Sequence, residues 1–447
     1  MNVNDSEKVA GVLRARGHEP APDAESADFV FINTCAVREK AAQKLDHSLD
    51  RLGWLKRRRP ELRVGVGGCV AQLDGRAILE RAGHVDVLVG THNLRRVPDL
   101  LDQAIAQGAP AVDLDRKADA FAVPAGDIAH GSPVRAYVTA MEGCNHVCSF
   151  CVVPRTRGPE VSRPPGEIVG EVESLVRRGY PEVMLLGQTV NAYRHGEVDF
   201  AGLLARVDGV TGLSRLRFTT SHPEHVDESL GGALRDLERL CPYLHLPFQS
   251  GSDRILQSMR RGHTQAQYLE IIARLREAVP DLALSSDVIV GYPGETQGEF
   301  EDTLAVLEQV GFDSLFAFAY SPRPGTSAAL VRDDVPVEEK QRRLQVVLDY
   351  QQRRQREQHA ARVGLTEEVL VDTIDGGGRV SGRTPHFRIV HFDGEEGLLG
   401  QLVRVKVTGA GPNALIGQLS QAIHGQAVPP LLYCARTWRP PAGCRSR

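Results

Sequence analysis

Cys144, Cys148 and Cys151 fall within eight positions of one another in "GCNHVCSFCVVPRTRG", residues 143–158 of a 447-residue chain that contains eight cysteines. A structural zinc site takes four ligands, usually as two close pairs, and no second pair accompanies this C-x3-C-x2-C run. His146 lies inside the triplet and is too constrained locally to serve easily as a fourth ligand. A cubane iron–sulfur cluster normally takes four thiolates, so three leave one iron open to a substrate or cofactor. Structural zinc or unrelated thiols are the plainer alternatives.

Two further thiols follow predicted strands: Cys35 after "FVFINT" and Cys69 after "RVGVGG". Open α/β sheets bind ligands at that edge, although by themselves two such cysteines are more often buried packing residues. Cys241 precedes "YLHLPF" and is expected at the opposite, structural end of its strand. Cys434 and Cys444 lie in an Arg-rich tail with no motif around them.

Polar residues also gather where strands should end. "LLGQTVNAY" supplies Gly187, which permits close backbone approach, and Gln188, whose amide can bond an amino-acid headgroup. "LPFQSGS" offers Gln249, Ser250 and Ser252 as ribose or carboxylate partners. "DVIVGYPGET" places Gly291 near an adenine-sized slot and Glu295 where it can cap the next helix. An ordinary βα turn is the alternative for each.

The elements that must position these residues come in three series. Residues 1–108 alternate helical and strand patterns, as in "SEKVAGVLRAR", "FVFIN", "RVGVGG" and "VDVLVG", which predicts an open parallel α/β sheet. Residues 109–133 lack a sustained period and read as a linker or wrapping segment. Residues 134–364 carry six strand candidates, from "VRAYVTAM" to "SLFAFAYS", separated by helical patterns, and end in a long Arg-rich helix; this fits a partial (β/α)6 barrel with the cysteine triplet at its carboxyl-terminal mouth. Residues 365–424 switch to period two, with strands "EEVLVDTI", "FRIVHF", "LVRVKVTGA" and "ALIGQLS", and predict a small OB-like β-barrel. Residues 425–447, rich in Pro and Arg, read as a disordered tail.

With 42% apolar and 25% charged residues the composition is that of a soluble globular protein. No signal-peptide core or membrane-length apolar run appears, which makes the cytoplasm the expected address and a reduced, metal-binding role the expected use of clustered cysteines. A net charge of −4 carries no global nucleic-acid signature. Local candidates for phosphate contacts are Lys56, Arg57, Arg58 and Arg59, and Arg342, Arg343, Arg353, Arg354 and Arg356, with solvated helix faces as the alternative.

"CNHVCSFC" resembles the signature of the radical S-adenosylmethionine (SAM) superfamily. There the amine and carboxylate of SAM chelate the open iron, and an electron from the cluster cleaves the sulfonium to a 5′-deoxyadenosyl radical. Read together, "NTCAVRE", "GGC", "GCNHVCSFCVVPRTRGPEVSR", "LLGQTVNAY", "TTSHPEH", "LHLPFQSGS", "VIVGYPGET" and "YSPRPGTSAA" resemble the methylthiotransferase family over residues 1 to about 424. "MNVNDSE" and "GQTVNAY" look most like the branch acting on N6-dimethylallyladenosine at position 37 of tRNA.

The resemblance implies two [4Fe-4S] clusters, SAM, tRNA as partner, an RNA-binding TRAM barrel, and an electron donor and a sulfur source outside the chain; a monomer is the expected state. It implies that Cys144, Cys148 and Cys151 hold the SAM-binding cluster and that Cys35 and Cys69 hold an auxiliary one used in sulfur delivery. One SAM would supply a methyl group, and another the radical that attacks the C2–H of the base. Related branches act on threonylcarbamoyladenosine in tRNA or on a ribosomal-protein aspartate. A non-catalytic iron–sulfur RNA-binding redox sensor is the alternative of another class.

The family's third auxiliary cysteine is absent. Its pattern, Gly-Cys-Gln directly before Met-Asn, would put that residue two positions upstream of Met1, and a parallel α/β sheet should open with a strand that this chain lacks. The expectation is that Met1 is an internal methionine of a longer native chain.

Overall fold

The computed structural model describes residues 1–36, 39–116, 123–375 and 378–423. The tail with Cys434 and Cys444 lies outside these residues.

The first layer contains α1 (Asn2–Ala15), β1 (Phe29–Thr34), α2 (Glu39–Arg58), β2 (Arg63–Gly68), α3 (Cys69–Asp74), α4 (Ala77–Arg81), β3 (Val87–Val89), α5 (Val97–Gln107) and β4 (Ala111–Asp113). Its four strands are all parallel, in the order β1-β2-β3-β4. Helices cover both faces, which explains the nearly continuous apolar strands. Val64, Val66 and Leu88 pack with Leu45, Leu49 and Leu52 of α2. Phe29, Val87 and Val89 pack with Val9 and Leu13 of α1 and Leu100, Leu101 and Ala104 of α5.

The strand β4 corrects the reading of 109–133 as linker alone. It is three residues long, too short to show a period, and is defined by pairing with β3 rather than by pattern. The rest of that segment wraps α1: Ala129 N–H donates to the Glu7 carbonyl at 3.1 Å and Gly131 N–H to Glu7 Oε1 at 2.7 Å.

The central unit runs β5 (Arg135–Thr139), β6 (Met141–Glu142), α6 (Val153–Arg157), β7 (Val161–Ser162), α7 (Pro165–Arg177), β8 (Glu182–Leu186), a short hairpin of β9 (Arg194–His195) and β10 (Val198–Asp199), α8 (Phe200–Asp208), β11 (Arg215–Phe218), α9 (Glu228–Asp236), β12 (Tyr243–His245), α10 (Asp253–Met259), α11 (Gln265–Ala278), β13 (Ala283–Val290), α12 (Gln297–Val310), β14 (Ser314–Ala319) and α13 (Val337–Ala360). Parallel strands β5, β8 and β11 form one sheet and β12, β13 and β14 another, linked by a backbone bridge between Leu216 and Leu240. This is a six-stranded partial barrel in chain order, filled by Val138, Leu185, Leu216, Leu244, Leu284 and Val288. Capping boxes start α11 (Thr264 with Gln267), which follows α10, and α12 (Thr296 with Glu299), which follows the turn after β13.

The closed five-stranded barrel that follows contains β15 (Thr366–Ile374), β16 (Arg379–Arg383), β17 (Ile389–Asp393), β18 (Leu402–Ala410) and β19 (Leu415–Ile423). Four of its strands were legible. The fifth, β16, lies in "DGGGRVSG", which reads as a break because glycines erase the alternation; Val380 nevertheless points into the core.

This small barrel sits on the amino-terminal ends of the central strands. Arg217 donates to the carbonyls of Thr384 and Pro385, each at 2.7 Å, and Arg388 pairs with Asp313 at 2.6 Å. The Phe387 ring stacks on Tyr243. Among the described residues no helix is long and apolar enough to cross a membrane.

Candidate active site at the carboxyl ends of the central strands

The loop from β6 to α6 carries all three clustered cysteines as free, half-buried thiols. Cys144 Sγ lies 3.1 Å from Thr189 Oγ1, Cys148 Sγ receives Arg261 Nη1–H at 3.6 Å, and Cys151 Sγ accepts Val153 N–H at 3.4 Å. Burial pushes the Cys151 thiol up to about 12 and raises that of Cys144, with the Thr189 contact acting against it. A metal bound here would have to displace those protons. The loop is anchored at Ser149, whose N–H donates to the Met259 carbonyl at 3.0 Å and whose hydroxyl donates to the Ser258 carbonyl at 2.8 Å.

Several polar residues around this loop have no hydrogen-bonding partner for one buried atom: Ser221 Oγ, His222 Nε2, Gln249 Oε1, Arg261 Nε and His263 Nε2. Buried polar atoms are ordinarily satisfied, so a group of orphans at strand ends fits a polar ligand. Thr220 and Gln249 also take left-handed backbone angles, φ 72° and 71°, in the turns that follow β11 and β12. Strain of that kind in non-glycine residues gathers at functional sites. Three soft thiols beside these donors and acceptors suit an iron–sulfur cluster with one open iron and an amino-acid cofactor upon it.

The residues expected to contact that cofactor divide. Gln249 and Ser250 are buried in the βα turn after β12; Gln249 Oε1 is free, while Ser250 Oγ accepts Ser252 N–H at 3.3 Å. Ser252 is the N-cap of α10. Gln188 does not face outward: its amide oxygen accepts Gly143 N–H and so steadies the start of the cysteine loop. Gly187 is packed tightly against Met141 and Val190. Gly291 has φ 67° and lies under the Lys340 stem, where a Cβ would collide. Glu295 accepts Gly291 N–H and forms a buried ion pair with Arg343 at 2.7 Å. Glu295 therefore ties α13 to the strand end, and the helix cap expected of it is supplied by Thr296 and Glu299.

A histidine group missed in the sequence completes the mouth. His146 stacks on His222 with centroids 3.9 Å apart, His146 Nε2 meets His225 Nε2 at 2.9 Å, and Glu224 Oε2 lies 3.3 Å and 3.5 Å from the Nδ1 atoms of His146 and His222. Asn191 clamps the His222 backbone from both sides. The signal was present in "GQTVNAY" and "SHPEH", but 76 positions separate His146 from His222 and only the barrel unites them.

Cys35 and Cys69 follow Thr34 and Gly68, register partners on adjacent parallel strands. They therefore leave the sheet side by side, on strands about 4.8 Å apart. The linking element is α6: Val152, immediately before it, packs in the same core as Cys69, and Thr91 Oγ1 donates to the Thr156 carbonyl at 2.5 Å. Arg157, at its end, forms a buried ion pair with Asp5 of α1 and lies within electrostatic reach of Cys69. Cys241 is buried beneath β11, its N–H donating to the Leu216 carbonyl at 3.0 Å, remote from the mouth.

The basic runs are largely committed within the fold. Lys56 pairs with Asp86, Arg59 with Asp28 and Glu61, Arg342 and Arg343 with Glu339, and Arg354 with Glu357. Arg58 lies over Trp54 and Arg353 over Tyr350.

Residues 138–307 match the Radical SAM superfamily, residues 1–90 the Uncharacterized protein family UPF0004, and residues 360–420 the TRAM domain. The tRNA-2-methylthio-N(6)-dimethylallyladenosine synthase of Geobacter metallireducens is 45% identical over 94% of this chain and 96% of its own. The protein of the same name from Methylococcus capsulatus is 45% identical over 95% and 94%. Among solved structures, the radical S-adenosylmethionine methyltransferase TsrM of Kitasatospora setae aligns with a TM-score of 0.51 at 15% identity, covering 78% of this chain and 68% of that one. At that identity the likeness concerns the fold alone.

Proposed function

Because the chain belongs to the tRNA-2-methylthio-N(6)-dimethylallyladenosine synthase family, we propose that it converts the C2–H of N6-dimethylallyladenosine at position 37 of tRNA into C2–SCH3. The observation that carries the reading is the cysteine triplet in the mouth of a radical SAM barrel, joined through α6 to a second pair of cysteines on the neighbouring sheet. Membership of the superfamily implies a [4Fe-4S] cluster and SAM. Cys144, Cys148 and Cys151 would hold that cluster, and Cys35 and Cys69 would contribute to the auxiliary one. When bound, the cluster and SAM supply a radical able to break an unactivated aromatic C–H bond, which no side-chain base could deprotonate.

The chain's own residues bind and orient. Gln188 fixes the cysteine loop through Gly143, while Gln249 and Ser221 offer polar atoms to the cofactor's headgroup or ribose. An anticodon-loop base is single-stranded and can enter the mouth without melting a duplex. Arg404 and Lys406 project from β18 between buried valines and form no ion pair among the described residues, which suits phosphate contact better than the basic runs do. The enzyme would act as a cytoplasmic monomer.

Nucleoside mass spectrometry of tRNA from a deletion strain tests this. The 2-methylthio derivative should vanish, N6-dimethylallyladenosine should accumulate, and the gene should restore the product. Loss instead of a methylthio group on threonylcarbamoyladenosine or on a ribosomal aspartate would reassign the substrate.

A further inference from the structure

Arg261 carries a buried charge in the mouth and forms no ion pair with a carboxylate among the described residues. Its side chain belongs to a residue only 5% exposed. Nη2 donates to the Pro247 carbonyl at 2.9 Å, Nη1 points at Cys148 Sγ at 3.6 Å, and Nε has no partner. The other buried arginines among the described residues, Arg135, Arg157, Arg215, Arg217 and Arg343, each pair with an Asp or Glu. A guanidinium cannot shed its proton, and an unpaired buried ion is costly.

The histidines beside it add no charge of their own. Burial first, and then Arg261 itself, hold His263 down to about 4 and His222 lower still, so these rings stay neutral. The backbone nevertheless fixes Arg261 in place. Arg260 takes φ 57° at the end of α10, and Gly262, at φ 70°, lies so close to the Glu224 carboxylate that a Cβ would overlap it. The hydrogen bonds from Ser149 to Met259 and Ser258 join this same turn to the cysteine loop.

Resting on the cluster assignment above, we propose that Arg261 is a positioning residue that raises the reduction potential of the SAM-binding cluster through Cys148. Reduction adds one electron, and hence one negative charge, to an already anionic thiolate-bound cluster; no bond forms or breaks. An unpaired cation with an N–H on a ligand sulfur stabilises the reduced form more than the oxidised one, because hydrogen bonds to sulfur and local charge set such potentials. The electron comes from a low-potential donor, for which dithionite stands in during the test.

The test uses full-length chain carrying Cys35→Ala and Cys69→Ala, so that a single cluster reports. Iron and sulfide content, an equilibrium redox titration followed by electron paramagnetic resonance, and SAM affinity are compared for Arg261 and for Arg261→Lys, Arg261→Gln and Arg261→Met. The expected result for Arg261→Met is full cluster content and, titrated without SAM, at least a tenfold lower reduced-to-oxidised ratio at fixed potential, equivalent to a midpoint about 59 mV more negative for a one-electron couple. Arg261→Lys should recover most of this. If Arg261→Met loses iron, Arg261→Lys against Arg261→Gln must show the same order. An unchanged midpoint in cluster-loaded variants overturns the proposal, as does lost SAM affinity at unchanged midpoint, which would make Arg261 a cofactor-headgroup contact. If the parent double variant holds no iron at all, the cysteine assignment itself falls and the proposal with it.

Discussion

Removing any one of Cys144, Cys148 and Cys151 should abolish SAM cleavage, because a cubane that loses one of three thiolates loses the geometry presenting its open iron. Cys35→Ala or Cys69→Ala should instead keep 5′-deoxyadenosine formation while the methylthio product disappears, since that pair lies on a separate sheet. Quantifying both products from each variant separates the cases: equal loss in all five would argue for a single site. At this scale the sequence disclosed the grouping of thiols better than the contacts of polar side chains. A thiol triplet announces itself by spacing alone, whereas whether Gln188 or Glu295 reaches a cofactor depends on partners it could take within the chain. Gly143 N–H and Arg343 are such partners, and neither is visible from local pattern.

Among the elements, α6 carries a prediction of its own. This five-residue helix joins the cysteine loop to the first sheet, and its Arg157 is buried against Asp5, whose carboxyl, despite burial, is held below its ordinary range by that guanidinium. Arg157→Met should therefore destabilise the chain by about 3–5 kcal/mol, because an uncompensated buried carboxylate remains, whereas Asp5→Ala with Arg157→Met should recover most of the loss. Denaturant midpoints of these two variants, of Asp5→Ala alone and of the parent provide the check; additive losses would mean that the pair contributes nothing as a pair. The regular elements were legible because βα periodicity repeats six times with capping residues between. The strands β4 and β16 were not: one is too short for a period, the other too rich in glycine, and each exists through its neighbour's hydrogen bonds. The histidine group and the α6 contact are tertiary facts, formed by residues far apart in the chain.

At the scale of the whole molecule, the small barrel is more than an appended RNA module. It seals the end of the central barrel opposite the cysteines, over a network in which Glu182 lies between Arg135 and Arg217, Arg217 donates to Thr384 and Pro385, and Arg215 pairs with Glu368 at 2.9 Å. Deleting residues 366–447 should thus do more than weaken tRNA binding. It lets water onto Glu182 and removes the carbonyl acceptors, so amide hydrogen exchange in β5, β8 and β11 should accelerate and the denaturant midpoint should fall. Burial alone would raise the Glu182 pKa, but Arg217 and Arg135 outweigh it and hold the carboxyl at about 2 against an ordinary 4.5. A group depressed in the folded state stabilises fully above its unfolded value and loses that contribution as pH falls through its folded one. The span corresponds to on the order of 3 kcal/mol, present above about pH 4.5 and lost towards pH 2. In the truncated chain solvent screens the network and Glu182 moves back towards its ordinary value, so the stability difference between full-length and truncated protein should narrow as pH falls from 5 to 2. Denaturation curves across that range, with exchange measured strand by strand, decide the matter: if β5, β8 and β11 exchange at the same rate with and without residues 366–447, the two barrels are energetically independent.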